Sequence, residues 1–278
     1  MLTRILTASV LIPILVVVLI FSHTLLFPII WALIALIAVF ELLRALGTVR
    51  SIASTWPAYP IAAGLPFVAF FADGSGIKWK IALCALAFLL LWLFGAAVFC
   101  RGRLTFAQIS SSFTGVIYIS LAFFAMQLLR FDVPMGRYLY LLIFIGPWVT
   151  DTFAYFCGRF FGKHKLIPEI SPKKTVEGAV GGTVFGAVAF VVFGIVMQRA
   201  YGLDVNYPML AVSGLLTAVV SQLGDLIASL IKREHGVKDY SSLFPGHGGV
   251  MDRFDSVLST SILLCCIFSL GGALTVLS

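Results

Sequence analysis

Three carboxylates stand out in or at the edge of apolar segments, each on a different predicted helix: Asp151 in "GPWVTDTFAYFCGRF", Asp225 in "AVVSQLGDLIASLIKR" and Asp252 in "HGGVMDRFD". An ionisable group in such a segment is expensive to bury and is a functional candidate by default. On a helix, Ser221, Asp225, Ser229 and Lys232 fall on one stripe, and Asp151 shares another with Tyr155. Acids that converge without an equal set of buried bases need a counter-charge. A hard divalent cation with oxygen ligands supplies it, and magnesium in particular is usually shared with substrate phosphates.

Basic residues surround these acids. Lys173 and Lys174 lie in "SPKKTVEG", where Ser171 and Pro172 are expected to be the cap and first residue of a helix. Two lysines at a helix N-terminus oppose the dipole, unless an anion also binds there. The stretch "SLIKREHGVKDYSSLFPGHGGVMDRFD" supplies Lys232, Arg233, Lys238 and Arg253 as phosphate partners. It also supplies Asp239, Asp252 and Asp255 as metal or sugar partners. Gly248 and Gly249 let backbone approach a ligand closely, as a flexible cradle, and His247 between glycines is placed to donate to a phosphate oxygen. Bases and acids together imply phosphoryl or nucleotidyl transfer between a soluble polyphosphate and a lipid head, which runs on positioning and charge neutralisation. On these residues alone, a nucleotide-dependent lipid kinase and a lipid or anion transporter remain rival readings.

The elements that carry these residues are membrane helices. The chain has 278 residues, 60% of them hydrophobic and 11% charged, with mean hydropathy +1.06. A soluble protein is about 45–50% apolar and about 25% charged. The net charge of +7 therefore points to cytoplasmic loops and anionic headgroups, not to nucleic acid. Five cysteines show no metal-type or paired spacing and read as reduced, packed residues. With Arg4 ahead of the first apolar run and no cleavage site after it, that run reads as a retained span.

The hydropathy pattern predicts an all-α integral membrane protein of about nine transmembrane helices, near 5–22, 25–43, 58–72, 81–99, 106–129, 138–156, 177–198, 208–231 and 254–277. The third is the weakest, with Pro57, Pro60 and Pro66 at its start or inside it. Nine spans put 14 of the 19 lysines and arginines on one side, among them Arg50, Arg101 and Arg103. That bias places the N-terminus in the cytoplasm and the C-terminus outside. Helix rise then sets Asp225 about 10 Å from Lys232 and Asp151 about 12 Å from Arg159, so all three acids lie toward the cytoplasmic face. Residues 1–137 read as scaffold, with Glu41 and Arg44 as an interfacial pair. Residues 138–278 read as the catalytic part, in which Gly178, Gly182 and Gly186 offer a smooth face for close helix packing.

The run from Ser229 to Asp255 resembles the signature of the phosphatidate cytidylyltransferase, or CDP-diacylglycerol synthase, family. The matching positions are Ser229, Lys232, Arg233, Lys238, Asp239, Ser241, Pro245, His247, Gly248, Gly249, Asp252, Arg253, Phe254 and Asp255. The stretches "SPKKTVEG" and "DTFAYFCGR" resemble that family as well, whereas the N-terminal half resembles it only in length and hydropathy. The resemblance implies transfer of CMP from CTP to phosphatidic acid, giving CDP-diacylglycerol and pyrophosphate. It implies magnesium, with a second cation left open, a homodimer, and a cavity open to the cytoplasm in a bacterial inner membrane. By motif position the metal ligands fall on Asp225 and Asp252, with Asp151 either completing the site or orienting a base. Lys173, Lys174, Lys232, Arg233 and Arg253 would neutralise phosphate charge, and Ser229, Lys238, Asp239 and Asp255 complete the expected site.

Overall fold

The computed structural model describes residues 2–49, 52–72, 74–99, 105–270 and 276–277. Arg50, Cys100, Arg101, Arg103 and the side chain of Arg4 lie outside that description, as does the end of the last predicted span. Each of the nine predicted segments overlaps a helix among the described residues. These are α1 (Leu2–Ile20), α2 (Leu26–Ala45), α4 (Ala58–Phe71), α5 (Ser75–Phe99), α6 (Phe106–Phe131), α8 (Leu142–Phe161), α9 (Val176–Tyr201), α10 (Tyr207–Glu234) and α11 (Met251–Ser269). Single turns α3 (Ile52–Thr55) and α7 (Gly136–Leu139) precede α4 and α8.

Among the described residues six helical stretches are long and apolar enough to cross a bilayer: Leu26–Ala45, Gly76–Phe99, Phe106–Phe131, Gly136–Phe161, Val176–Tyr201 and Tyr207–Glu234. Helix α4 has 14 residues, and at 1.5 Å per residue it is about 21 Å long, short of a hydrocarbon core of about 30 Å. Large apolar side chains such as Leu83, Leu91, Val98 and Phe99 point outward from α5. In water that would be unfavourable, and against lipid tails it is not. The chain is an integral membrane protein.

One element departs from the all-α expectation. Lys165–Ile167 (β1) and Ser171–Thr175 (β2) pair antiparallel as a short hairpin. Ser171 and Pro172 therefore do not start the following helix. Its cap is Thr175, whose side chain accepts the Gly178 N–H at 3.2 Å. Glu177, in the first turn of α9, accepts the N–H groups of Lys163 and His164 and pairs with His164 Nδ1 at 2.7 Å. The strand and the threonine cap together displace the helix start by four residues. Lys173 and Lys174 thus lie on an extended strand, free of the unfavourable dipole position.

The chain falls into two compact units. The first is Met1–Gln127 with Glu234–Phe254, and the second is Leu128–Arg233 with Asp255–Ser278. In the first, Trp31 of α2 stacks on Phe123 at 5.8 Å and meets Phe254 edge-on at 5.7 Å. In the second, α8 and α9 cross closely through glycine. A Cβ at Gly178, Gly182 or Gly186 would run into Ala154 or Thr150 of α8, so the smooth face expected of these glycines is the packing surface. Cys84, Cys157, Cys265 and Cys266 are free thiols. Cys265 is packed as expected, whereas Cys84 and Cys266 are exposed on apolar helices.

Candidate functional site

In the second unit a cleft of about 350 Å³ opens among α8, β2, α9 and α10. Asp151, Tyr155 and Arg159 reach it from successive turns of α8, Lys173, Lys174 and Thr175 from β2, and Gln222 and Asp225 from α10. The central contact is an ion pair between Lys174 Nζ and Asp225 Oδ2 at 2.6 Å, with side chains 24% and 30% exposed. Asp225 therefore has a cationic partner contributed by the hairpin. Arg159 donates to the Tyr155 hydroxyl at 2.9 Å across one helical turn. Gln222 donates to Thr183 Oγ1 at 3.0 Å and to the Ala179 carbonyl at 3.3 Å, tying α10 to α9 beneath the cleft. Asp255, half-buried in α11, lies within charge-interaction reach of Asp225, Asp151 and Lys232. This unit thus brings three of the predicted acids together with predicted bases. Arg233 points elsewhere, its Nε contacting the Ile170 carbonyl at 3.5 Å, and Ser229 is half-buried one turn beyond Asp225.

The first unit holds a second cleft, of about 460 Å³, formed by the signature loop. Lys238, Asp239, His247, Gly248 and Arg253 line it. The loop is not a slack cradle. Phe244 N–H donates to the Gly248 carbonyl at 2.9 Å and His247 N–H to the Phe244 carbonyl at 2.8 Å. Gly246 and Gly248 hold positive φ of 76° and 79° inside this turn, a conformation that glycine adopts without strain. Asp252 is buried, and its Oδ2 accepts the N–H groups of Tyr240 at 2.8 Å and Gly249 at 2.9 Å. His247 Nδ1 is buried and has no hydrogen-bond partner among the described residues.

The residue that sequence reasoning misplaced is Glu41. Instead of pairing with Arg44, it is buried in the first unit. Its carboxylate accepts from Ser241 Oγ at 2.5 Å, Val250 N at 3.0 Å and Met251 N at 2.8 Å. A Cβ on Gly249 would strike this carboxylate, and one on Gly248 would strike that of Asp252. Arg159, Tyr155, Thr175 and Gln222 were also not read as site residues. The only sequence signal for them was helical spacing from Asp151, Gly178 and Asp225.

Magnesium suits the acids of the first-described cleft. Among the described residues no three acid, histidine or cysteine side chains form a ready cage. Magnesium uses only one or two protein carboxylates and completes its shell with water and substrate phosphate. Asp225 is paired with the Lys174 ammonium, which a metal at this carboxylate would have to share or displace.

These features define a class: an integral membrane helical protein whose polar clefts pair carboxylates with lysines and arginines suited to phosphate. The chain matches the cytidylyltransferase family over residues 2–270, and it belongs to that family of nucleotidyltransferases. It is 37% identical over 190 residues to a phosphatidate cytidylyltransferase of Staphylococcus haemolyticus, covering 68% of this chain and 69% of the relative. Against the Bacillus subtilis protein of the same name it is 38% identical over 196 residues, 70% of each chain. Against that of Brucella suis it is 40% identical over 150 residues, 54% of each.

Proposed function

We propose that this protein is a phosphatidate cytidylyltransferase that works at the cytoplasmic face of a bacterial inner membrane. The observation that carries the reading is the cleft in which Lys174 holds Asp225 among Asp151, Arg159 and Lys173. The names of its relatives supply the substrates. A phosphate oxygen of phosphatidic acid attacks the α-phosphorus of CTP. The bond from that phosphorus to the bridging oxygen breaks, and pyrophosphate leaves with the electron pair. Lys173 and Lys174 neutralise phosphate charge from the strand, and Arg159, oriented by Tyr155, adds a planar donor from α8. In the same unit Lys232 serves further phosphate oxygens, while in the first unit Lys238 and Arg253 line the loop cleft as phosphate partners and His247 offers its Nδ1 to a ligand there. Asp225 and Asp151 would hold magnesium, which when bound offsets charge on the phosphates; Asp252, which the resemblance also implies as a ligand, has its Oδ2 taken up by two backbone N–H groups of its own loop. The reading also includes nine crossings with the N-terminus in the cytoplasm, and a homodimer.

The test is purified protein in detergent with phosphatidic acid, magnesium and CTP labelled separately in cytidine and in the γ-phosphate. Cytidine label is expected in the lipid product, and EDTA in excess is expected to stop the reaction until magnesium is restored. Label arriving only from the γ-phosphate would identify a lipid kinase instead. Consumption of both substrates in detergent excludes a transporter. Asp225→Asn is expected to abolish turnover in protein that still inserts, and near-normal activity removes it from the metal assignment; Asp252→Asn is expected to lose stability together with activity.

A further inference from the structure

We infer that Glu41, in the N-terminal helices, is a positioning residue for the signature loop, acting as the clasp that closes it. The inference rests on the proposed transferase reading for its activity assay, but its geometry stands separately.

The first turn of α11 must find partners for N–H groups that have none inside the helix. Three successive donors are met by two carboxylates. Asp252 takes Gly249 N–H, and Glu41 takes those of Val250 and Met251. A carboxylate is the group the helix dipole favours at this end. The same Glu41 oxygen that accepts Val250 also accepts the Ser241 hydroxyl. Glu41 therefore grips both ends of the loop, and Asp252 does likewise through Tyr240 and Gly249. The residues between the two grips, Ser242 to Gly248, form most of the wall of the second cleft, beside Lys238 and Arg253. Gly249 is required where the chain passes directly over the Glu41 carboxylate.

Glu41 is buried and lines neither of the two clefts, so it acts on a ligand in either only indirectly. Its effect must travel through the loop, to the aim of Arg253 and His247 and to the register in which Asp252 begins the helix. Gln at this position keeps the shape but sets an amide N–H₂ against a backbone donor, leaving a buried N–H unmatched.

The experiment compares wild type, Glu41→Gln, Ser241→Ala and the control Arg44→Gln, all full-length in detergent. Two quantities are read: kcat and KM for CTP, and hydrogen exchange of the peptide covering residues 240–252. Glu41→Gln is expected to lower kcat per folded molecule roughly tenfold or more, the equivalent of one unmatched buried donor. The loop amides should exchange about tenfold faster, while peptides from α8 and α9 are unchanged. Ser241→Ala should show the same two effects at about threefold, since it removes one of three donors. Arg44→Gln should match wild type in both. Normal kcat in Glu41→Gln overturns the inference, as does a kcat loss with unaltered loop exchange. If Glu41→Gln does not fold, Ser241→Ala decides by the same criteria. If wild type transfers no cytidylate, the functional reading falls, and loop exchange in Glu41→Gln alone decides whether the clasp exists.

Discussion

The Lys174–Asp225 pair permits a quantitative test. At 2.6 Å, two unit charges in a medium of effective dielectric about 20 attract by about 6 kcal/mol. Desolvation of two groups that are each only a quarter to a third exposed cancels much of this, whereas fully exposed pairs net only about 0–1 kcal/mol. The expected coupling lies between, at about 2 kcal/mol. Lys174→Met, Asp225→Asn and the double variant form a cycle, read by unfolding in mixed micelles of increasing SDS fraction. Lys174→Met alone should cost about 2–3 kcal/mol, because it leaves a half-buried carboxylate without its cation. The double variant should cost much less than the sum of the singles. Losses that add to within about 0.5 kcal/mol would mean that the two side chains do not interact, and the pairing would be refuted. In the transfer assay Lys174→Met should also lower kcat/KM, because Lys174 is placed to neutralise phosphate; a transition-state loss of about 2 kcal/mol would read as roughly 30-fold.

Other consequences can be checked beside it. Gly249→Ala should destabilise by about 1–3 kcal/mol through collision with the Glu41 carboxylate, and lose activity accordingly; a neutral result would show that the loop does not pass this close. Thr175→Ala should cost about 1 kcal/mol of thermal stability as a lost helix cap, and Ser171→Ala, within strand β2, should cost little; the reverse order would restore the earlier helix start. A reporter fused to the C-terminus should score as external, and a cytoplasmic signal would remove one crossing from the proposed nine.

Much of this architecture could be read from hydropathy alone, because lipid burial forces backbone satisfaction within each helix and leaves long apolar runs. Glycine spacing at 178, 182 and 186 likewise foretold a close crossing, since four-residue repeats define a helix face. The failures share a cause. Ser171-Pro172 is a good local start signal, and it lost to a hairpin pairing that no local rule encodes. Asp225 seemed to lack a base because its partner is on a distant strand. Glu41 had Arg44 one turn away, the pair that helical spacing favours, but its hydrogen bonds go to residues as far as 210 positions on. Local spacing ranks the partners within one element, and burial decides among those in different elements.

That distinction also divides the signature itself. Its polar residues form one continuous string in sequence but do two kinds of work. Ser241, Gly248, Gly249 and Asp252 are absorbed in closing the loop: Ser241 donates to Glu41, Gly248 and Gly249 make room for the Asp252 and Glu41 carboxylates, and Asp252 accepts two backbone N–H groups. Lys238, Asp239, His247 and Arg253 are left facing the second cleft. In the proposed reading His247 goes with the second kind: it lines the cleft, and its buried Nδ1 has no hydrogen-bond partner among the described residues. A buried nitrogen of this kind is tolerated where a ligand supplies the missing bond. Substitutions in the first group should therefore lower stability and activity together, as their hydrogen bonds are shared by the fold and the site. His247→Ala should leave stability unchanged or improved while raising KM for CTP, and a loss of stability in that variant would place His247 with the residues that close the loop.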